Sequence, residues 1–180
     1  MSEQQIFMHY VCTMAEAKAL VKGREKFWVS NCGCRESGPG CKQSRTDVCL
    51  MFSFAGGSSG SNPHEISKAE MEEIFREAET KNLVTRPFLD NDFKETDGIC
   101  FCCQDCCGYF KGEDEACNKG KFIEETDVAQ CINCGICVEV CYFHARSMDN
   151  GVLKVERDKC YGCGLCEKVC PVACIQMVQR

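Results

Sequence analysis

The chain has 180 residues, of which 20 are cysteine, and its 27 acidic and 21 basic side chains give a formal net charge of −6. This acidic balance argues against nucleic acid as a partner, because binding to phosphates depends on Lys and Arg. No apolar run approaches the roughly 18 residues of a membrane-spanning helix, so no membrane span is expected. The first ten residues lack the basic region and following apolar run that are typical of a secretory signal peptide. We therefore do not expect the cysteines to form mainly disulfides, because disulfides are rare in reduced compartments. We therefore expect a cytoplasmic protein of an anaerobe.

The first predicted element is a helix near the start of the chain. Thr13 and Glu16 have the spacing of a capping box, in which each side chain bonds to the backbone N–H of the other residue. Apolar residues then recur near one helical face as far as Trp28. The pattern predicts a helix over residues 14–28.

A second capping box, at Ser67 and Glu70, predicts another helix. The residues at i, i+3, i+4 and i+7 are apolar and are expected in the core: Met71, Ile74, Phe75 and Ala78. Asn82 tolerates the left-handed conformation in which many helices end. With both helices, residues 1–120 are predicted to form a mainly helical, cysteine-rich N-terminal domain.

A glycine-rich segment, Ala55–Ser61, lies between the two predicted helices. Such a loop can bind phosphate through its backbone N–H groups. However, no Gly-Lys-Ser/Thr follows, and the strand–helix context of a P-loop is missing. A flexible loop is the better interpretation.

Nine cysteines fall into two groups before residue 120 and are predicted to form two halves of one metal site. They are Cys32, Cys34, Cys41 and Cys49, followed by Cys100, Cys102, Cys103, Cys106 and Cys107. Arg35 could donate N–H groups to cluster sulfur or thiolate, or it could be an ordinary surface arginine. The histidines, His9, His64 and His144, are isolated and expected at the surface. Cys12, Cys117 and Cys174 fit no pattern, and packing alone would explain them.

Three interpretations of this N-terminal site remain open. One or two further iron–sulfur clusters are favoured, and structural zinc bound by four thiolates is the alternative. The third is a catalytic cluster, because Cys106-Cys107-Gly108 resembles the Cys-Cys-Gly motifs of heterodisulfide-reductase subunits, whose noncubane clusters perform disulfide chemistry. Those proteins use paired motifs, and this sequence has one copy.

The last 60 residues contain two cysteine runs with identical internal spacing, C-x2-C-x2-C-x3-C. They are Cys131, Cys134, Cys137 and Cys141, then Cys160, Cys163, Cys166 and Cys170. This spacing is typical of [4Fe–4S] ligation in bacterial ferredoxins. Between the runs, Asn150-Gly151 predicts a hairpin turn, and an alternating strand follows it.

Residues 121–180 therefore resemble a bacterial-type dicluster ferredoxin domain. The resemblance implies that Cys131, Cys134, Cys137 and Cys170 bind one cluster, and that Cys160, Cys163, Cys166 and Cys141 bind the other. It also implies two small helices after Cys137 and Cys166. Tyr142 departs from the pattern, since the family usually has proline there, as at Pro171. The wider arrangement over residues 30–180 resembles an uncharacterised family of bacterial proteins with 4Fe–4S ferredoxin domains.

The sequence thus predicts an α+β protein with an N-terminal domain at residues 1–120 and a dicluster domain at 121–180. The expected function is transfer of single electrons between redox partner proteins through two or more [4Fe–4S] clusters. An electron carrier is favoured because no acid–base or nucleophile constellation stands out. The alternatives are an iron–sulfur enzyme with a catalytic N-terminal cluster and a redox or metal sensor.

Overall fold

The computed structural model describes residues 7–54, 60–112 and 116–180. Its largest element is a seven-stranded sheet with the order β4-β2-β3-β6-β5-β1-β7. The strands are β1 (His9–Tyr10), β2 (Phe27–Ser30), β3 (Cys49–Met51), β4 (His64–Ile66), β5 (Val84–Leu89), β6 (Thr96–Cys102) and β7 (Cys117–Asn118). Neighbouring strands are antiparallel except β1 and β7, which are parallel.

The prediction of a mainly helical N-terminal domain is therefore wrong: sheet and loops dominate the described part of that region. The burial of strand β5 shows why the sequence did not reveal the sheet. Five consecutive residues of β5, from Val84 to Phe88, are buried, so both faces of the strand are covered. Such strands lack the alternation of polar and apolar residues that would have revealed them. The fold class of the described chain is mixed, with helices and sheets together.

Helix α1 (Met14–Val21) begins as predicted and ends earlier than predicted. The capping box of Thr13 and Glu16 is present. The helix stops at Val21 because Gly23 adopts a left-handed φ of 83°, and Trp28 lies in β2 instead of in the helix. The prediction that this helix continues to residue 28 is therefore wrong, because the chain turns after Val21 and then enters β2.

The short helix α2 (Gly33–Glu36) precedes the second predicted helix, which is confirmed as α3 (Lys68–Thr80). The capping box of Ser67 and Glu70 is present, and the four predicted core residues are buried. Asn82 has the predicted left-handed φ, 52°. No helix in the described ranges has the length and apolar content needed to cross a bilayer.

The sheet separates two layers of side chains. Leu50, Ile99 and Phe101 share a core with residues of α1 and α3. Cys49 and Cys100 belong to a different cluster, with Phe88. Because successive residues of a strand point to opposite faces, β3 and β6 present cysteines on the face away from the helices.

The remaining elements are a short helix α4 (Gly108–Lys111) and the C-terminal segment. That segment contains β8 (Phe122–Thr126), α5 (Ile136–Glu139), β9 (Arg146–Asp149), β10 (Val152–Val155), α6 (Leu165–Val169) and β11 (Ile175–Gln179). β8 pairs with β11, and β9 pairs with β10, both antiparallel. The hairpin turn at Asn150 and Gly151 is confirmed, with φ of 49° and 80°. The small helices α5 and α6 contain Cys137 and Cys166 instead of following them.

The C-terminal segment packs closely on the earlier part of the chain. Val11 and Val84 share a buried cluster with Tyr142 and Leu165. The rings of Phe143 and Tyr161 stack with centroids 4.4 Å apart. They also meet the rings of Tyr109 and Phe110 from α4.

The predicted domain boundary at residue 120 stays a prediction. Of the glycine-rich loop Ala55–Ser61, positions 55–59 lie outside the described residues.

Candidate metal centres

The second ferredoxin-type run is joined by a cysteine from the first run. Cys141, Cys160, Cys163 and Cys166 line one cavity together. Burial raises the pKa of Cys166 to about 12 and also raises the pKa of Cys163. Thiols in this environment lose their protons when a cation binds them. The grouping agrees with the ligand set that the resemblance implies, and ligation itself stays a prediction.

The first run forms a second group near the surface. Cys131, Cys137 and Cys170 pack in one cluster, and Cys134 is exposed. Cys174, which the sequence left unassigned, is buried in the same cluster with its Sγ 3.5 Å from that of Cys170. Only the fold reveals this fifth thiol, since its spacing matches no ligand pattern.

Glycines let the ligand loops pass close to their surroundings. Gly162, between Cys160 and Cys163, has a φ of 83°, and a Cβ there would lie 2.1 Å from the carbonyl oxygen of Phe122. A larger residue would suffer both a clash and a left-handed backbone. This glycine therefore holds the second loop against β8.

A buried arginine, Arg146, lies between the two groups of thiols. Its Nη1 donates to the Sγ of Cys137 at 3.4 Å, and it is close enough to Cys166 for the two groups to interact electrostatically. It forms an ion pair with Glu124, which is also buried. Sequence reasoning missed this residue, because an arginine at the start of a hairpin strand is usually exposed.

The nine N-terminal cysteines lie in two groups instead of the one shared site that the sequence suggested, and their binding of metal stays a prediction. The larger group has six members: Cys32, Cys34, Cys49, Cys100, Cys102 and Cys107. Hydrogen bonds link these thiols in a chain, running from Cys49 through Cys100 and Cys102 to Cys107 and Cys34. With Cys106 they line a cavity of about 270 Å³.

Thiolate character alternates along this chain. Hydrogen bonds from Cys107 and Cys32 lower the pKa of Cys34, and hydrogen bonds from Cys100 and Cys107 lower the pKa of Cys102. The thiolate is the form that binds metals. The site therefore favours the ligating form at two positions before any metal binds.

Arg86 supplies positive charge to the six-thiol group. Its side chain is 1% exposed, and Nη1 lies 3.1 Å from the Sγ of Cys107 and 3.8 Å from that of Cys102. The guanidinium also lies over the ring of Tyr109, 4.8 Å from its centroid. A charged residue within β5 gave no sign of this role in the sequence.

The smaller group has three members, Cys41, Cys103 and Cys106. The Sγ of Cys103 lies 3.5 Å from that of Cys41 and 3.4 Å from that of Cys106. The hydrogen bond with Cys106 contributes most to lowering the pKa of Cys103, to about 6. These three sulfur atoms could hold a metal ion.

Arg35 lies between the two N-terminal groups and is 2% exposed, so it is not a surface residue. Its Nη2 donates to the carbonyl of Phe101 at 2.8 Å, and its guanidinium also bonds to Cys106. The predicted bond to a thiol is therefore present. The positive charge also acts on Cys32 of the larger group.

The histidines do not all behave as predicted. His64 and His144 are exposed, as expected. His9 is not isolated: its Nε2 lies 3.9 Å from the Sγ of Cys100, and it lines the 270 Å³ cavity. Cys12 is buried and bonds to Thr85, which agrees with a packing role.

One tyrosine connects the N-terminal site to the ferredoxin-type loops. The hydroxyl of Tyr142 is buried, which raises its pKa, and the Cys103 and Cys163 thiols are close enough to raise it further. Cys103 belongs to the three-thiol group and Cys163 to the second ferredoxin-type run. Tyr142 is therefore within electrostatic range of thiols from both regions, and Cys163 packs against the same buried cluster as Tyr142.

Comparison with known families supports the resemblance seen in the sequence. Residues 122–177 match the family described as a 4Fe-4S dicluster domain. No curated protein matched the chain. The residues also fit such clusters, because each predicted set supplies four thiols, the donor type that [4Fe–4S] clusters take.

Proposed function

Because residues 122–177 are a dicluster ferredoxin-type domain, we propose that this iron–sulfur protein transfers single electrons between redox partner proteins. Two [4Fe–4S] clusters would be held by the crossed cysteine sets of the ferredoxin-type runs. The N-terminal cysteines would hold at least one further centre. When bound, such clusters supply one-electron transfer at potentials that their surroundings adjust.

The crossed grouping of cysteines in the matched segment carries this proposal: Cys141 of the first run lines a cavity with the second run, and Cys170 of the second run packs with Cys131 and Cys137. Aromatic rings also link the second run to the six-thiol group: Tyr161 meets Tyr109, and the guanidinium of Arg86 lies over the Tyr109 ring. Phe143 stacks on Tyr161 and packs against Tyr109, so these half-buried rings shield the interface partly from water. We propose that this packed interface brings the N-terminal centre close enough to the second cluster for electrons to pass between them.

The first ferredoxin-type run provides the outer end of this path. Cys134 is exposed, unlike the other predicted ligands of its set. The two large apolar side chains two positions before and after it in the chain are also exposed, Ile132 at 60% and Ile136 at 42%. Exposed apolar side chains grouped in this way mark interaction sites. We propose that a redox partner protein binds here.

Buried arginines of the chain would raise the reduction potentials of the bound metal centres. Arg146 lies against Cys137 of the first run, and Arg86 lies against Cys107 of the six-thiol group. Each places a buried positive charge beside thiolates, which favours the reduced, more negative state of a bound centre. Two such contacts suit a protein whose task is to accept electrons.

The test is the iron and acid-labile sulfide content of anaerobically purified protein, followed by a potentiometric titration monitored by electron paramagnetic resonance. We expect about eight iron and eight sulfide from the ferredoxin-type runs, on four irons per cubane, and further iron from the N-terminal site. Cys134→Ser and Cys163→Ser should each remove or alter one signal, while Cys12→Ser should leave all signals unchanged. A chain that binds zinc without iron, or whose centres exchange no electrons, would refute the proposal.

A further inference from the structure

The three-thiol group differs in geometry from every other predicted ligand set. The Sγ atoms of Cys41, Cys103 and Cys106 all lie within 4.8 Å of one another. A tetrahedral zinc ion with bonds of 2.3 Å separates its sulfur ligands by about 3.8 Å. The thiolates of a cubane lie farther apart, because each binds a different iron. Among the described residues, no other set of three candidate ligands is so compact.

Two members of the six-thiol group, Cys49 and Cys100, lie in a different layer from the three thiols. Cys103 and Cys106 are part of the core beneath α1 and α3, and Cys41 packs against that core. Cys49 and Cys100 lie in the cluster on the opposite face of the sheet. Arg35 stands between the groups. The nine cysteines therefore do not form one continuous ligand shell.

We propose that Cys41, Cys103 and Cys106 bind a single thiophilic divalent cation, zinc in the first instance, separate from the iron–sulfur clusters. Cys103 and Cys106 have the Cys-x-x-Cys spacing of a zinc turn. Among the described residues no fourth His, Cys, Asp or Glu completes the set. The fourth position is left to water or to a small ligand, as in catalytic zinc sites.

Local contacts hold the third ligand in place. The backbone N–H of Lys42 donates to the carboxylate of Asp105 at 2.7 Å, which fixes the Cys41 loop to the Cys103–Cys106 turn. Cys103 and Cys106 are buried, and Cys41 is half-buried, so the ion is reachable from the Cys41 side. The loop is therefore positioned by a bond that does not involve the metal.

The charges around the site also balance. Three thiolates and a divalent cation leave one net negative charge. The buried guanidinium of Arg35, bonded to Cys106, offsets it. A fourth thiolate would leave a second negative charge without a partner, which is costly in a buried site. This arrangement favours three protein thiolates over four.

The experiment measures zinc, iron and sulfide in the full chain purified anaerobically, and then cobalt binding after zinc removal. The wild-type protein should hold one zinc per chain and take up one Co²⁺, with a thiolate-to-cobalt charge-transfer band. Cys106→Ser and Cys41→Ser should lose most of the zinc and the cobalt band while iron and sulfide stay unchanged. Cys34→Ser and Cys102→Ser, from the six-thiol group, are the matched controls and should keep the zinc.

Retention of the ferredoxin-type paramagnetic signals in Cys106→Ser shows that the variant has folded. If the variant loses iron and sulfide together while the wild type binds neither zinc nor cobalt, the three thiols belong to a cluster and the inference is wrong. A Cys103–Cys106 disulfide in the anaerobic wild type would also overturn it. The inference does not depend on the proposed electron transfer, because the dicluster iron is counted separately.

Discussion

Arg146 and Cys137 form a hydrogen bond of 3.4 Å in the interior of the ferredoxin-type segment. The same guanidinium pairs with Glu124 and donates to Thr126 at 2.9 Å. Both Arg146 and Glu124 are nearly inaccessible to solvent, so their charges are poorly screened. A buried charge next to a cluster ligand must act on the cluster's potential.

Arg146→Met should therefore lower the reduction potential of the cluster bound by the first run. Removing a positive charge disfavours addition of an electron, by on the order of 1–3 kcal/mol at an effective dielectric constant near 20. This corresponds to roughly 40–130 mV for a one-electron step. Potentiometric titration measures the shift.

Two variants separate charge from packing in this prediction. Glu124→Gln should shift the same potential upward, because it leaves Arg146 without its anionic partner. Lys154→Met removes a charge whose side chain is 57% exposed, and should shift the potential little. Equal potentials in Arg146→Met and wild type would show that solvent or the backbone screens the charge.

Gly162→Ala should impair assembly of the cluster bound by the second run. The added Cβ would lie 2.1 Å from the carbonyl oxygen of Phe122, so the loop that carries Cys160 and Cys163 must move. We expect iron and sulfide to fall toward half of the ferredoxin-type content.

Gly151→Ala is the matched control for this substitution. Gly151 also has a left-handed φ, 80°, but nothing lies within 4 Å of a Cβ there. It should cost about 1–2 kcal/mol of stability from backbone strain alone and leave iron unchanged. Equal iron content in both alanine variants would mean that Gly162 is not needed for the ligand loop.

Arg86→Leu should destabilise the N-terminal site and spare the ferredoxin-type clusters. Removing one partner of a buried charged pair costs about 3–5 kcal/mol, here because Cys102 and Cys107 lose the adjacent positive charge. Metal analysis should find that the N-terminal content falls and that the dicluster signals persist.

The control for Arg86 is Arg24→Leu. Arg24 also lies over an aromatic ring, that of Phe52 at 4.1 Å, but it is exposed, whereas Arg86 is buried. Its replacement should leave the metal content unchanged. If both arginine variants lose N-terminal metal equally, the loss reflects general destabilisation.

Cys12 should resist alkylation in the folded protein. Burial raises its pKa to about 12, so at pH 8.5 the reactive thiolate is nearly absent, whereas an ordinary cysteine is about half ionised. Mass spectrometry after iodoacetamide treatment should find Cys12 unlabelled in the native protein and labelled in urea.

The same pKa shift predicts a dependence of stability on pH. Between pH 9 and 12 the unfolded chain releases the Cys12 proton and the folded chain keeps it, so stability falls as pH rises, by about 1.4 kcal/mol per pH unit. Cys12→Ala should flatten this slope in urea unfolding curves. Full labelling of native Cys12 at pH 8.5 would contradict both expectations.

Local rules account for the features that the sequence predicted correctly. Capping boxes at Thr13 and Ser67, and the turn at Asn150-Gly151, depend on residues within a few positions of each other. The cysteine spacing of the two runs is equally local, and it was sufficient to indicate the dicluster domain. Each of these signals can be evaluated before the chain folds.

The sequence by itself therefore determined the dicluster domain, its hairpin and the starts of both long helices. Only the tertiary structure decided that the N-terminal region is a sheet, because its strands are stabilised by partners distant in the chain. The tertiary structure also divided the nine cysteines into groups of six and three, because it brings Cys41 next to Cys103, which lies 62 positions later in the chain. The burial of Arg35, Arg86 and Arg146 was decided in the same way. An arginine enters a core only where folding brings thiols or a carboxylate to offset its charge, and no local pattern records which distant groups those will be.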